Sequence, residues 1–181
     1  MIYQRWLPLA TLLLILGALY WGEITSQRWK TAQWITVSSG FFYLAVVIWL
    51  TFYPTGLPFC LGLDKPLFHF MTVSYNLHPL AYVDAEFFAN ILLTVPLGVY
   101  LYLAKSRLNL LSLFLISIIP GLMIESCQLV ADLAVNLNRV VDIDDVISNT
   151  CGVLVGYLVV KLFDHTPLTH LVKPFALQRN N

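Results

Sequence analysis

Charge is scarce in this chain. Lys, Arg, Asp and Glu make up 11% of its 181 residues, against roughly 25% in soluble proteins. So sparse a polar surface excludes an ordinary water-soluble domain. No sign of charge is in excess: ten basic and ten acidic residues give a net charge of zero. That removes the basic footprint that nucleic-acid binding requires. Cysteine is limited to Cys60, Cys127 and Cys151, which form no CxxC pair and no zinc spacing. Cys127 and Cys151 lie in apolar runs, as small core residues do. His69, His78, His165 and His170 lack metal-ligand spacing, and Ser126, Cys127 and Ser148 have no histidine nearby in sequence. GxSxG, HExxH, P-loop and GxGxxG motifs are all missing. So are internal repeats and low-complexity tracts.

What the chain has in abundance is apolar residues, 59% of the total. They gather in five runs: Leu7 to Trp21, Trp34 to Tyr53, Phe87 to Ala104, Leu108 to Val130 and Val146 to Phe163. A membrane span needs about 20 apolar residues, with a range of ~17–25. The last four runs fit. The first is short and leaves three readings open: a short span, an interfacial helix or a signal peptide. Leu19-Tyr20-Trp21-Gly22 is not a small-residue cleavage site, which counts against the signal peptide. Trp6, Trp21, Trp29, Trp34, Trp49 and Tyr53 sit near run ends, where interfacial aromatics belong. The expected fold is therefore an all-α polytopic membrane helix bundle with four or five transmembrane helices. Residues 1–181 make one membrane domain. The longest connection, about Pro54 to Ala85, carries Pro54, Gly56, Pro58, Pro66 and Pro79, which punctuate a chain instead of building a helix. Phe59, Leu61, Leu67, Phe68 and Phe70 make it too apolar for a free linker. It is expected to lie against the bilayer or fold back onto the bundle.

Basic residues set the expected orientation. Arg28, Lys30, Lys105, Arg107, Lys161, Lys173 and Arg179 fall on one face of a five-span topology, seven of the ten Lys and Arg. Only Arg5, Lys65 and Arg139 fall on the other. The positive-inside rule makes the basic face cytoplasmic. Asp64, Asp84, Glu86, Glu125, Asp132, Asp142, Asp144 and Asp145 then lie toward the outside.

Polar residues inside membrane segments are functional-site candidates by default. Glu125 lies about 17 residues beyond Leu108, or ~26 Å along a helix crossing a ~30 Å core, so it sits near the outer margin. Gly121, Glu125, Gln128 and Asp132 are spaced by four, three and four, and share one helix face. Asp142, Asp145, Asn149, Gly152 and Gly156 form a second stripe. Its glycines suit close helix approach. Glu86, Asn90, Thr94 and Gly98 form a third, repeating every four residues. Arg139 lies in the short loop before Asp142. Architectural readings compete with a site. Asp142 and Asp145 suit a helix N-terminus, Arg139 can neutralise the aspartates, and Asn90 and Asn149 can join helices. Capping does not account for Glu125 and Gln128, which come late in their helix, where an acid opposes the dipole.

These residues resemble the VanZ-like family, named for a teicoplanin-resistance determinant. NLHPL at Asn76 to Leu80 is similar to the family's Asn-Leu-x-Pro-aromatic loop. NILLTVPLG at Asn90 to Gly98 is similar to its Asn-apolar-x-x-x-Pro-x-Gly helix. Glu125-Ser-Cys-Gln128 resembles its Glu-x-x-Gln. Arg139-x-x-Asp142-x-x-Asp145-x-x-x-Asn149-x-x-Gly152-x-x-x-Gly156 resembles its closing motif. Leu80 stands where an aromatic is common and Thr94 where Phe is common. The family-like core runs from about residue 38 to 163. The resemblance implies a multi-pass protein of the bacterial cell membrane, in some members raising resistance to teicoplanin-type glycopeptides.

The leading expectation is a non-enzymatic envelope protein. Its outer polar site of Asn90, Glu125, Gln128, Arg139, Asp142, Asp145 and Asn149 would bind a lipid-linked cell-wall precursor, a glycopeptide or another amphiphile among membrane lipids. In that reading Arg139 meets an anionic group. Glu125, Asp142 and Asp145 hold a divalent cation or an ammonium, and no other cofactor is implied. The alternative is an intramembrane, metal-assisted enzyme acting on a lipid-linked substrate, with Glu125 as general acid or base. A third reading is purely structural.

Overall fold

The computed structural model describes residues 2–26, 29–53, 68–70, 73–80, 83–136, 140–167 and 169–177. Its long helices are α1 (Leu7–Ser26), α2 (Thr31–Phe52), α3 (Ala85–Ala104), α4 (Leu110–Val135) and α5 (Ile143–Asp164). All five are long and apolar enough to cross a membrane. The first is among them: its 20 residues extend about 30 Å, because the helix continues past the apolar run through Glu23 to Ser26. The protein is a multi-pass membrane protein built as an all-α bundle.

Polar residues start the helices of the family-like core. Asp84 accepts from the Phe87 amide at 3.1 Å to cap α3, and Asn109 accepts from the Ser112 amide at 2.8 Å to cap α4. Each satisfies an amide that has no partner within the helix. Asn136 ends α4 in the left-handed conformation. Pro96 and Pro120 lie inside α3 and α4 without interrupting them.

α5 is the axis of the bundle. Contacts between α3 and α5 keep the same order along both helices: Thr94 with Asn149, then Tyr102 with Tyr157. The two helices are therefore parallel. Glycine makes their approach close. A Cβ on Gly98 would strike the Val153 carbonyl, and one on Gly156 would strike the Val95 carbonyl. α4 runs the other way on α5, with Gly121 against Val146 and Asn149, and Leu113 in a cluster with Tyr102 and Tyr157.

α1 and α2 pack at the side. Leu9, Phe52 and Ala131 join α1, α2 and α4 in one apolar cluster. Trp6 meets Tyr53 edge-on, with ring centroids 5.3 Å apart, at the end of α2. At the opposite end the C-terminal segment returns to the bundle. Thr36 donates to the Phe175 carbonyl at 2.9 Å, and the Leu177 amide to the Leu103 carbonyl at 2.8 Å.

A small sheet, not expected from the sequence, caps the end where α3 and α5 begin. Strand β1 (Phe68–Phe70) pairs antiparallel with β2 (Val73–Asn76), and β2 pairs parallel with β3 (Val140–Asp142). In that register Asn76 lies opposite Asp142. The connection thus folds back onto the bundle over residues 73–80, while 54–67, 71–72 and 81–82 lie outside the described residues.

Candidate functional site

The polar residues meet at the end of the bundle formed by the starts of α3 and α5 and the last turns of α4. Glu125, Gln128 and Asp132 are all buried on the face of α4 that their spacing defines. Glu125 Oε2 accepts from the Asp142 amide at 2.9 Å, which ties α4 to the first turn of α5. Asp142 is the N-cap of α5: its Oδ1 accepts from the Asp144 amide at 2.9 Å. The same oxygen accepts from Asn76 Nδ2 at 3.0 Å. Asp142 is therefore a cap, as its position suggests, and also the anchor of β2.

A second connection runs from α3 to α5. Asn90 Nδ2 donates to Asp145 Oδ1 at 2.7 Å. Both residues are half-buried. One turn deeper, the Thr94 hydroxyl lies 3.0 Å from the Asn149 carbonyl and 2.8 Å from that of Asn90. A Cβ on Gly152 would collide with this hydroxyl. The small side chain of Thr94 fits against Gly152. Gln128 reaches another way, with Nε2 donating to the Thr51 carbonyl of α2 at 3.3 Å.

Asp142 and Asp145 are also electrostatic neighbours of Glu125, as is Glu86. Of the residues the sequence singled out, Asn90, Glu125, Asp142, Asp145 and Asn149 belong to one linked set, with Gln128 at its α2 side. Arg139 lies outside the described residues.

Glu125, Asp142 and Asp145 are the trio expected to hold a divalent cation. Among the described residues no three His, Cys, Asp or Glu side chains are placed to hold a metal ion. One oxygen of each of the trio is taken by a different donor: the Asp142 amide, the Asn76 amide group and the Asn90 amide group.

Two members were not singled out as site residues. Asp144 is buried, and its Oδ1 accepts from the Leu80 amide at 2.6 Å. Asn76 is fully buried; its Oδ1 accepts from the His78 amide at 3.0 Å while its Nδ2 holds Asp142. Leu80 adopts a φ of 57°, a left-handed conformation that costs a non-glycine residue roughly 1–2 kcal/mol. Its short bond to a carboxylate offsets part of that cost. The NLHPL loop is thus held onto α5 by two aspartates. The signal for Asn76 was the motif itself. For Asp144 it was an acid two positions after a capping acid.

Four buried oxygens in this region have no donor among the described residues: Glu125 Oε1, Gln128 Oε1, Asp144 Oδ2 and Asn149 Oδ1. An unpaired buried polar atom in a native protein calls for an explanation such as a ligand, an ion or ordered water. A separate cavity of about 250 Å³ lies at the opposite end, lined by Glu23, Val37, Tyr43, Leu97 and Tyr100 among others, and includes no member of the polar set.

No curated protein and no solved structure matches the chain. The family model described as VanZ/LLP1 matches residues 40–164. That stretch holds the three polar stripes, the small sheet and all of α3, α4 and α5. By this match the chain belongs to the VanZ/LLP1 family.

Proposed function

We propose that this protein binds the polar head of an amphiphilic or lipid-linked ligand at the acidic end of its bundle, without catalysing a reaction on it. The observation that carries this reading is Glu125. The residue is only 5% exposed, yet Oε1 has no donor among the described residues while Oε2 is bonded. A carboxylate kept only to lock helices together would have both oxygens paired. Leaving a buried acceptor unpaired costs about 1–3 kcal/mol, and three further acceptors beside it are in the same condition. A set retained at such a cost fits a partner that arrives from outside.

The distribution of Lys and Arg supports an extracytoplasmic position for this end of the bundle. In a bacterial cell membrane, ligands of the right kind there are a lipid-linked cell-wall precursor or a lipoglycopeptide lodged in the outer leaflet. Membership of the VanZ/LLP1 family supports a cellular role in glycopeptide resistance of the teicoplanin type.

The test is a pair of isosteric substitutions, Asp145→Asn and Glu125→Gln, read in a glycopeptide-susceptibility assay beside an immunoblot. Loss of protection with near-normal membrane abundance is the expected result. Wild-type protection by both variants would reduce the cluster to architecture. Turnover of a lipid-linked precursor by the reconstituted wild type would replace binding with catalysis.

A further inference from the structure

We infer that the headgroup recognised here is a primary ammonium, read through its N–H donors and not through positive charge alone; this rests on the binding reading above. The four unpaired buried oxygens are chemically one-sided. Each is an acceptor, and each belongs to a residue more than nine-tenths buried: Glu125 at 5% exposure, Gln128 at 7%, Asp144 at 2% and Asn149 at 3%. When ionised, the carboxylates of Glu125 and Asp144 accept only. The Gln128 amide cannot be turned round, because its nitrogen already donates to the Thr51 carbonyl, so its free atom is the oxygen.

The four are parts of one frame. Glu125 is bonded to Asp142, and Asp142 to Asp144. Gln128 lies one turn beyond Glu125 on the same face of α4. Asn149 packs on Gly121, one turn to the other side of Glu125. Among the described residues Lys30, Lys105, Arg107, Lys161 and Lys173 are at the opposite end of the bundle by their places in the chain; Arg5 is at this end, on the helical turn that precedes α1, and it makes no hydrogen bond to any of the four oxygens.

The chemistry of the occupant follows by elimination. An anion would be set among the carboxyl groups of Glu125, Asp142 and Asp144, which share one hydrogen-bonded frame. A divalent cation finds no three-donor group among the described residues. An alkylammonium brings three N–H donors and one positive charge. It can serve several acceptors at once with charge-assisted bonds. Its source is either an aminolipid of the bilayer or the amine of another amphiphile.

The experiment compares headgroups of equal charge in which methyl groups replace the N–H donors. The full-length protein is stripped in detergent. It is then offered phosphatidylethanolamine or phosphatidylcholine with matched acyl chains and, separately, dodecylammonium or dodecyltrimethylammonium. Retention is read by native mass spectrometry. The amine form should be retained roughly tenfold more than its trimethylated counterpart, the equivalent of one charge-assisted hydrogen bond. Glu125→Gln should erase that preference. Retention of dodecylammonium without phosphatidylethanolamine supports the inference and assigns the source to an amphiphile other than bulk lipid. Equal retention of amine and trimethyl forms, with both weakened in Glu125→Gln, overturns the inference and leaves the binding reading intact. No retention of any probe overturns both. A preference untouched by Glu125→Gln also overturns the inference, since the amine then binds elsewhere. The wild-type comparison needs no variant to fold.

Discussion

At the scale of single residues, the site is defined by which buried polar atoms are paired and which are not. Asn76 shows the paired case. It is fully buried and uses both ends of its amide, on Asp142 and on the His78 backbone. Asn76→Ala removes one donor to the Asp142 carboxylate and releases the loop that follows. It should cost about 1–3 kcal/mol, seen as a lowered unfolding temperature of the purified protein in detergent. An unchanged temperature would mean the loop is held by other contacts. Much of the residue-level picture was legible in the sequence. Glu125, Gln128 and Asn149 are buried because they recur at helical spacing with residues that face the same way. Asp144 was not legible, because it falls between the stripe positions 142 and 145. In the first turn of a capped helix its side chain turns toward the returning loop and not along the stripe. Asn76 was visible only as part of a motif, because a loop has no periodicity that points a side chain inward.

At the scale of elements, the helices follow from hydropathy and their ends follow from capping. The apolar runs underestimate α4 and α5. These helices extend through Asp132 to Val135 and begin at Ile143, where polar side chains are buried instead of solvated. The three-stranded sheet was not legible, since strands of three and four residues are too short to show alternation. The parallel α3–α5 pair depends on glycine in a way that can be measured. Gly152→Leu would drive a side chain into Thr94 and the Ile91 carbonyl. It should abolish the monodisperse folded peak of a fluorescent fusion on size exclusion. Gly17→Ala, in α1, meets nothing within 4 Å. It should leave that peak unchanged or slightly more heat-resistant, because alanine favours a helix over glycine by about 1 kcal/mol. Equal effects of the two substitutions would contradict the close approach of α3 and α5.

At the scale of the whole molecule, most acidic residues gather at one end of the bundle and most basic residues at the other, and the proposed orientation puts the acidic end outside the cell. Leu77 is exposed at that end. After replacement of the native cysteines, a cysteine at Leu77 should be labelled by an impermeant reagent in intact cells, and one at Lys105 only after permeabilisation. The reverse pattern would invert the topology and place the site on the cytoplasmic leaflet. The central claim is that the buried carboxylates serve a ligand and not the fold. The unfolding temperature of Glu125→Gln tests it most directly. The amide keeps an oxygen for the Asp142 amide and replaces a buried carboxyl group whose second oxygen is unpaired. Sites built for binding are held at some expense to stability. The account predicts an unfolding temperature equal to or above that of the wild type in detergent. A clear fall would contradict it and return Glu125 to the role of a structural lock.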